Sequence, residues 1–274
     1  MLISKLENKY SDRAEFVDMK GRKVVKSFGN LKKEYEALRE GAMFYDCSTY
    51  GLLLVEGQKV DLFLEKLATK DIQYLNIGNI SECYFLNEVA EVIGNVFIVR
   101  RENDFMVIAT WEQAEDVKSW LILQAEKSEY KITILDLMDK MAMVSIEGPK
   151  SWKVVKKVFD IAIENLALRT FMTFSWYGEE LILIRVGRSS EYGYMTISSN
   201  DSGAKIYVPV TVTLSLSGNP SSTDRSSVVI SAPALGPSIS ETSSGPWMLN
   251  MMSLPVRSTL EWLAARVTAR FAAS

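Results

Sequence analysis

The chain contains no histidine. Serine–histidine and cysteine–histidine nucleophile pairs are therefore excluded, as is every histidine-ligated metal site, and no metal ligand is among the candidate residues. Any chemistry must run on carboxylates, Tyr, Lys or a bound cofactor. The candidates are Asp46 and Tyr50 in Asp46-Cys47-Ser48-Thr49-Tyr50, Tyr84 with Asn87 and Glu88, and Arg188 with Glu191 in Arg188-Ser189-Ser190-Glu191-Tyr192-Gly193. Taken alone, each has a plain structural reading. Asp46 is a turn former whose side chain accepts a backbone N–H two residues on. Asn87 and Glu88 are hairpin-turn residues, and Tyr50 and Tyr84 are core aromatics capping a sheet end. Glu191 is a solvated turn acid and Arg188 a surface arginine.

The elements that must hold these residues follow from periodicity. In Phe28–Ala42, Leu31, Tyr35 and Leu38 recur at helical spacing, and Gly41 falls where a C-cap glycine belongs. Residues 43–57 read as a strand, a polar turn at Asp46–Thr49 and a second apolar strand, and residues 60–69 return to helical spacing. From Cys83 to Ala109 three apolar runs broken by polar turns predict a meander. A helix follows with Ala114, Val117, Leu121 and Gln124 on one face, then strands over 132–137 and 141–147. Residues 151–162 form a further amphipathic helix, and 172–187 a hairpin turning at Tyr177–Glu179.

Composition sets the outer limits. The length of 274 residues suits two or more domains, and 47% hydrophobic against 24% charged residues is a globular balance. A net charge of −3 without a basic stripe argues against nucleic acid, and no run reaches the length of a membrane helix. Two widely spaced cysteines in apolar company, with no leader at the N-terminus, point to the cytoplasm. No lysine follows Lys205, and the chain beyond it is a Ser/Pro/Gly mixture with one amphipathic stretch over 258–273. This predicts an atypical tail over 206–274, either disordered or out of frame.

Four stretches taken in order resemble the aminomethyltransferase (glycine cleavage T-protein) family. Residues 34–57 are similar to its entry block of helix, strand, Asp-x-Ser turn and strand. Residues 84–100 resemble its Leu-Asn-Glu hairpin, and residues 143–155 its Gln-Gly-Pro block, with Glu147 in place of the glutamine. In residues 185–197, Arg185, Gly187, Glu191, Gly193 and Tyr194 fit the family's Arg-Thr-Gly-Tyr-Thr-Gly-Glu-Asp-Gly segment.

The resemblance covers about residues 1–200. It implies an α+β, multidomain folate-binding body: residues 1–49 plus 141–205 as a discontinuous first domain, and 50–140 as an inserted ferredoxin-like domain. The family's C-terminal barrel has no counterpart. It also implies tetrahydrofolate as cofactor, with Glu191 accepting the adjacent ring N–H and amino group of the pterin, Tyr84 and Tyr50 as aromatic neighbours, and Arg188, where a tyrosine is usual, facing an anion such as a glutamate tail or an acidic substrate.

The implied activity is one-carbon transfer from a small-molecule methyl or aminomethyl donor, and a glycine-cleavage role adds a lipoyl carrier protein. The family's catalytic aspartate position is occupied by Gly94 and Asn95, neither of which can be a general base. A non-catalytic folate-binding or regulatory protein and a truncated inactive family member are the alternatives.

Overall fold

The computed structural model describes residues 2–3, 14–159, 161–176, 178–199, 214–216 and 226–228. The predicted tail over 206–274, apart from two three-residue strands, lies outside the described residues, as does Tyr177 of the predicted hairpin turn.

The order of elements begins with β1 (Leu2–Ile3), β2 (Glu15–Met19), β3 (Arg22–Ser27), α1 (Leu31–Glu40), β4 (Met43–Asp46), β5 (Gly51–Gly57) and α2 (Val60–Glu65). It continues with β6 (Ile80–Leu86), β7 (Val92–Arg100), β8 (Phe105–Ala109), α3 (Ala114–Lys127) and β9 (Ile132–Asp136). Then come β10 (Met141–Glu147), α4 (Ser151–Phe159), β11 (Phe171–Trp176), β12 (Glu179–Ile184) and β13 (Gly193–Ser199).

Two five-stranded sheets dominate. One has the order β11-β12-β13-β10-β4, the other β6-β7-β8-β5-β9, and every recorded pairing within them is antiparallel. In the second sheet, β7-β8-β5-β9 with α2 and α3 is the split βαβ arrangement, and β6 adds an edge strand. Alternation along each strand gives each sheet two apolar faces. Leu52, Phe97 and Ile108 of one sheet share a core with Met143, Ile184 and Met195 of the other. The outer faces are covered by helices. Val154, Val155 and Phe159 of α4 pack on Ile146, Leu183 and Tyr194, while Phe63 of α2 and Val117 and Leu121 of α3 pack over Val55, Phe85 and Val107. At about 1.5–3 kcal/mol for each fully buried large aliphatic or aromatic side chain, these three cores are the main favourable term.

One local expectation fails. On α1, Leu31 and Tyr35 are each 64% exposed and Ala37 is the residue buried, so the aliphatic spacing does not mark the packed face. A neighbouring layer decides which face of so short a helix is covered. Gly41 is the C-cap, as its position in the sequence suggests, and closes the helix through its N–H to the Ala37 carbonyl at 3.0 Å. The hairpin of β2 and β3 turns at Lys20 and Gly21, both at positive φ as a two-residue type I′ turn requires. Arg22, buried, then fastens it by donating to the Thr49 carbonyl at 2.7 Å and to Glu115 at 2.5 Å.

Candidate functional site

The site forms where the β12–β13 loop, residues 185–192, meets the end of β10 and the face that β7 turns toward the first sheet. Its organiser is Glu147, the last residue of β10 and 6% exposed. Its carboxylate accepts the Ser189 N–H at 2.9 Å, the Arg188 N–H at 3.2 Å and the Ser145 hydroxyl at 2.8 Å. Three donors on one buried carboxylate offset its desolvation and hold the loop inward. A second clamp lies one residue on. Gly148 N–H and Ser151 Oγ both donate to the Tyr192 carbonyl, at 2.8 and 3.0 Å.

The close approach needs glycine. A Cβ on Gly193 would lie 2.5 Å from Gly187 Cα and 2.6 Å from the Val186 carbonyl oxygen. Gly148, at φ +127°, abuts Gly41, whose carbonyl accepts Lys150 N–H at 2.8 Å. That contact brings the last turn of α1 beside the loop, and Arg39 Nη1 meets Glu191 Oε1 at 2.8 Å. The Glu191 side chain is 19% exposed, so this carboxylate is sheltered without being sealed in.

Arg188 turns inward. Its guanidinium lies 4.4 Å from the centroid of the Phe97 ring, and its Nε and Nη2 are buried with no acceptor among the described residues. Ser189 Oγ and Asn95 Oδ1 are likewise buried and unpartnered. Cys47 and Tyr50 lie within its field. Burial, reinforced by Asp46 and Glu147, pushes the Cys47 thiol up, and burial with Cys47 and Tyr45 pushes the Tyr50 phenol well above its usual value; Arg188 pulls both the other way. Both groups are therefore held neutral, and neither is an activated nucleophile.

The structure brings Arg188, Glu191 and Tyr50 to this end of the inter-sheet core. Tyr50 is packed edge-on against Tyr45 at 6.4 Å and is 7% exposed, a tight place for a ligand-lining residue. Tyr84, 48% exposed, is the cross-strand partner of Asn95 and stands at the open edge of the same sheet face.

The pair at 94 and 95 resolves into two roles. Gly94 faces away, where a Cβ would run into Val117 of α3. Asn95 shares a strand face with Phe97, so Asn95 alone can look toward the site. Glu88 is exposed and Asn87 accepts the N–H groups of Val89 and Glu91, as a hairpin tip requires. The Asp46 carboxylate accepts Ser48 N–H at 2.9 Å. Sequence reasoning missed the ion pair to Arg39, the ring of Phe97 under Arg188 and the clamp made by Glu147. Only the Glu-Gly-Pro junction hinted at the last.

A body of two packed antiparallel sheets with outer helices, bearing a glycine-bounded loop with Arg188 and Glu191 at one end of their interface, matches a known family. The family model described as GCVT N-terminal domain matches residues 7–213. The chain therefore belongs to the aminomethyltransferase, or glycine cleavage T-protein, family. Its relatives include the aminomethyltransferase of Pseudothermotoga lettingae, 25% identical over 189 residues that make up 69% of this chain and 51% of the relative. That of Thermotoga neapolitana is 26% identical over 196 residues, 71% of this chain and 53% of the relative. Among solved structures, glycine cleavage system aminomethyltransferase T from Bartonella henselae superposes with a TM-score of 0.63 at 21% identity, over 71% of this chain and 52% of that one. The chain spans about half the length of the relatives it matches.

Proposed function

We propose that this chain binds tetrahydrofolate and takes part in one-carbon transfer, with Glu191 as the acceptor for the pterin. The observation that carries this reading is the placement of Glu191: a sheltered carboxylate held by Arg39 on a loop that Glu147 clamps in place. A carboxylate has about four lone-pair sites, so an arginine on one oxygen leaves capacity for two parallel N–H donors. The other groups suit a folate as well. Asn95 Oδ1 is a buried acceptor without a donor among the described residues, and the half-exposed ring of Tyr84 on the same sheet face offers a stacking surface.

Tetrahydrofolate, when bound, supplies the ring nitrogen that takes up the one-carbon unit. The chain's own groups would orient it: Glu191 fixes the pterin edge, and Asn95 accepts a hydrogen bond without removing a proton. The donor would be a small methyl or aminomethyl compound. A lipoyl carrier protein would be the partner in a glycine-cleavage role, for which the missing carboxylate at position 95 is unfavourable. No helix among the described residues is long and apolar enough to cross a membrane, and cytoplasmic residence is part of this proposal. So is the division into a discontinuous first domain, residues 1–49 plus 141–205, and an inserted one, 50–140.

Asparagine at 95 also favours a second reading, a folate-binding or regulatory protein that does not turn over. Calorimetry of the native chain and Glu191→Ala with tetrahydrofolate tests the proposal. Micromolar binding weakened about tenfold or more in the variant, the ~1.5–3 kcal/mol of a hydrogen bond to a charged group, supports it. Absence of binding by a cooperatively folded native chain refutes it. Binding without methyl or methylene transfer from any donor selects the second reading.

A further inference from the structure

The feature that the pterin contact of Glu191 leaves unexplained is Arg188. A guanidinium can be gripped from one side by a carboxylate through Nε and the Nη that lies parallel to it. Such a grip is seen at Arg101, which donates from Nε and Nη2 to the two oxygens of Asp104, at 2.6 and 2.7 Å. In Arg188 the same two nitrogens are buried and have no protein acceptor among the described residues. Two buried guanidinium N–H groups without acceptors are costly on a residue that is otherwise only half-buried, and an anion reaching that edge would satisfy both.

The surroundings fix its direction. The Phe97 ring at 4.4 Å supports the guanidinium plane, which leaves the in-plane edge as the direction for hydrogen bonding. The adjoining Ser189 hydroxyl is also buried and without a partner among the described residues, and can donate to the same anion. Glu147 does not fill this role. It commits its carboxylate to the backbone N–H groups of Arg188 and Ser189 and to Ser145, so its charge is already solvated by donors other than the guanidinium.

We infer that the Nε/Nη2 edge of Arg188, with Ser189 Oγ, is a binding site for a carboxylate. Resting on the folate-dependent reading, this narrows the ligand to a carboxylic acid: either the one-carbon donor carries the carboxylate, or the glutamate tail of the folate does. A neutral or cationic donor would leave the fork unfilled beside Phe97, whereas an acid is oriented by two parallel hydrogen bonds. Arginine rather than lysine is required, because an ammonium cannot present two coplanar donors.

The test needs no folate. Methoxyacetate and its neutral isostere methoxyacetamide are titrated into the full native chain, with binding followed by ligand-observed NMR. Millimolar binding of the acid, at least tenfold tighter than of the amide, supports the site; equal binding of the two overturns it. Arg188→Lys, which keeps charge and stem, is expected to weaken the acid at least fivefold while unfolding as cooperatively as the native chain. Unchanged affinity in that variant overturns the proposal.

Competition then distinguishes the sources. Displacement of methoxyacetate by tetrahydrofolate but not by tetrahydropteroate, which lacks the glutamate, assigns the site to the folate tail; displacement by neither assigns it to a separate carboxylate-bearing donor. Because methoxyacetate binding and Glu191-dependent folate binding are read separately, failure of either reading is seen without the other.

Discussion

The carboxylate of Glu147 accepts the backbone N–H of Ser189 at 2.9 Å, across 42 residues of sequence, and so ties the end of β10 to the loop that carries both Arg188 and Glu191. The same carboxylate takes Arg188 N–H and Ser145 Oγ, and each of its oxygens faces donors only.

Glu147→Gln should therefore loosen the loop even though it restores the residue usual in the family. An amide would turn its NH2 toward at least one donor N–H, leaving a buried donor unsatisfied at about 1–3 kcal/mol. Urea denaturation should show that loss, and hydrogen exchange at Ser189 should quicken. An exchange rate equal to the native one would mean that the clamp is not what orders the loop.

Arg39→Met removes the partner of Glu191 at a half-exposed site. Global stability should fall by no more than about 1 kcal/mol, as for exposed ion pairs. Tetrahydrofolate affinity should drop severalfold, because the carboxylate loses the contact that preorganises it. A tighter complex in this variant would show instead that Arg39 competes with the ligand.

At the adjacent positions 94 and 95 substitutions should behave oppositely. Gly94→Ala drives a Cβ into Val117, itself fully buried, and should cost about 1–3 kcal/mol of overpacking in a denaturant titration. Asn95→Asp, facing the site, should leave the fold in place and raise any transfer rate by about 10²-fold or more if a carboxylate at this point acts as general base. Single-turnover assays with tetrahydrofolate and a methyl or aminomethyl donor would read it. No gain in a well-folded Asn95→Asp variant would place the chain with binders rather than catalysts.

Burial pushes the Cys83 thiol up to about 12, against about 8.5 in an unfolded chain. The folded state thus holds this proton more tightly than the unfolded state, so the thiol's contribution is complete below about pH 8.5 and is lost as pH rises toward the folded value. The stability of the native chain relative to Cys83→Ala should shrink by about 1–2 kcal/mol between pH 8 and 10. Urea midpoints of the two chains at each pH test this. Both Cys47 and Cys83 are buried and free, and should resist a thiol reagent until the chain unfolds.

Local pattern was sufficient for many elements and for the family. The alternation through Cys83–Ala109 and the 3.6-residue spacing of Ala114, Val117 and Leu121 reappear as β6 to β8 and as the buried stripe of α3, because sheet and helix faces of that length impose their period on the residues they bury. Asp46 caps its turn through a contact two residues away, which needs no tertiary information. The four family stretches were legible for the same reason: each is short and continuous.

What sequence could not decide is which distant groups meet. Leu31 and Tyr35 keep helical spacing yet stay exposed, since the covering layer and not the helix chooses the packed face. The division between Gly94 and Asn95 depends on whether β7 presents the odd or the even residue to α3, a choice made by sheet register. Arg188 reads as a surface arginine until Phe97, ninety-one positions earlier, is found beneath it. Residue type and local period were set by the chain itself; the meeting of Glu147 with the loop and of Arg39 with Glu191 had to await the packing of two sheets, because burial and charge pairing are properties of neighbours that only the folded chain supplies.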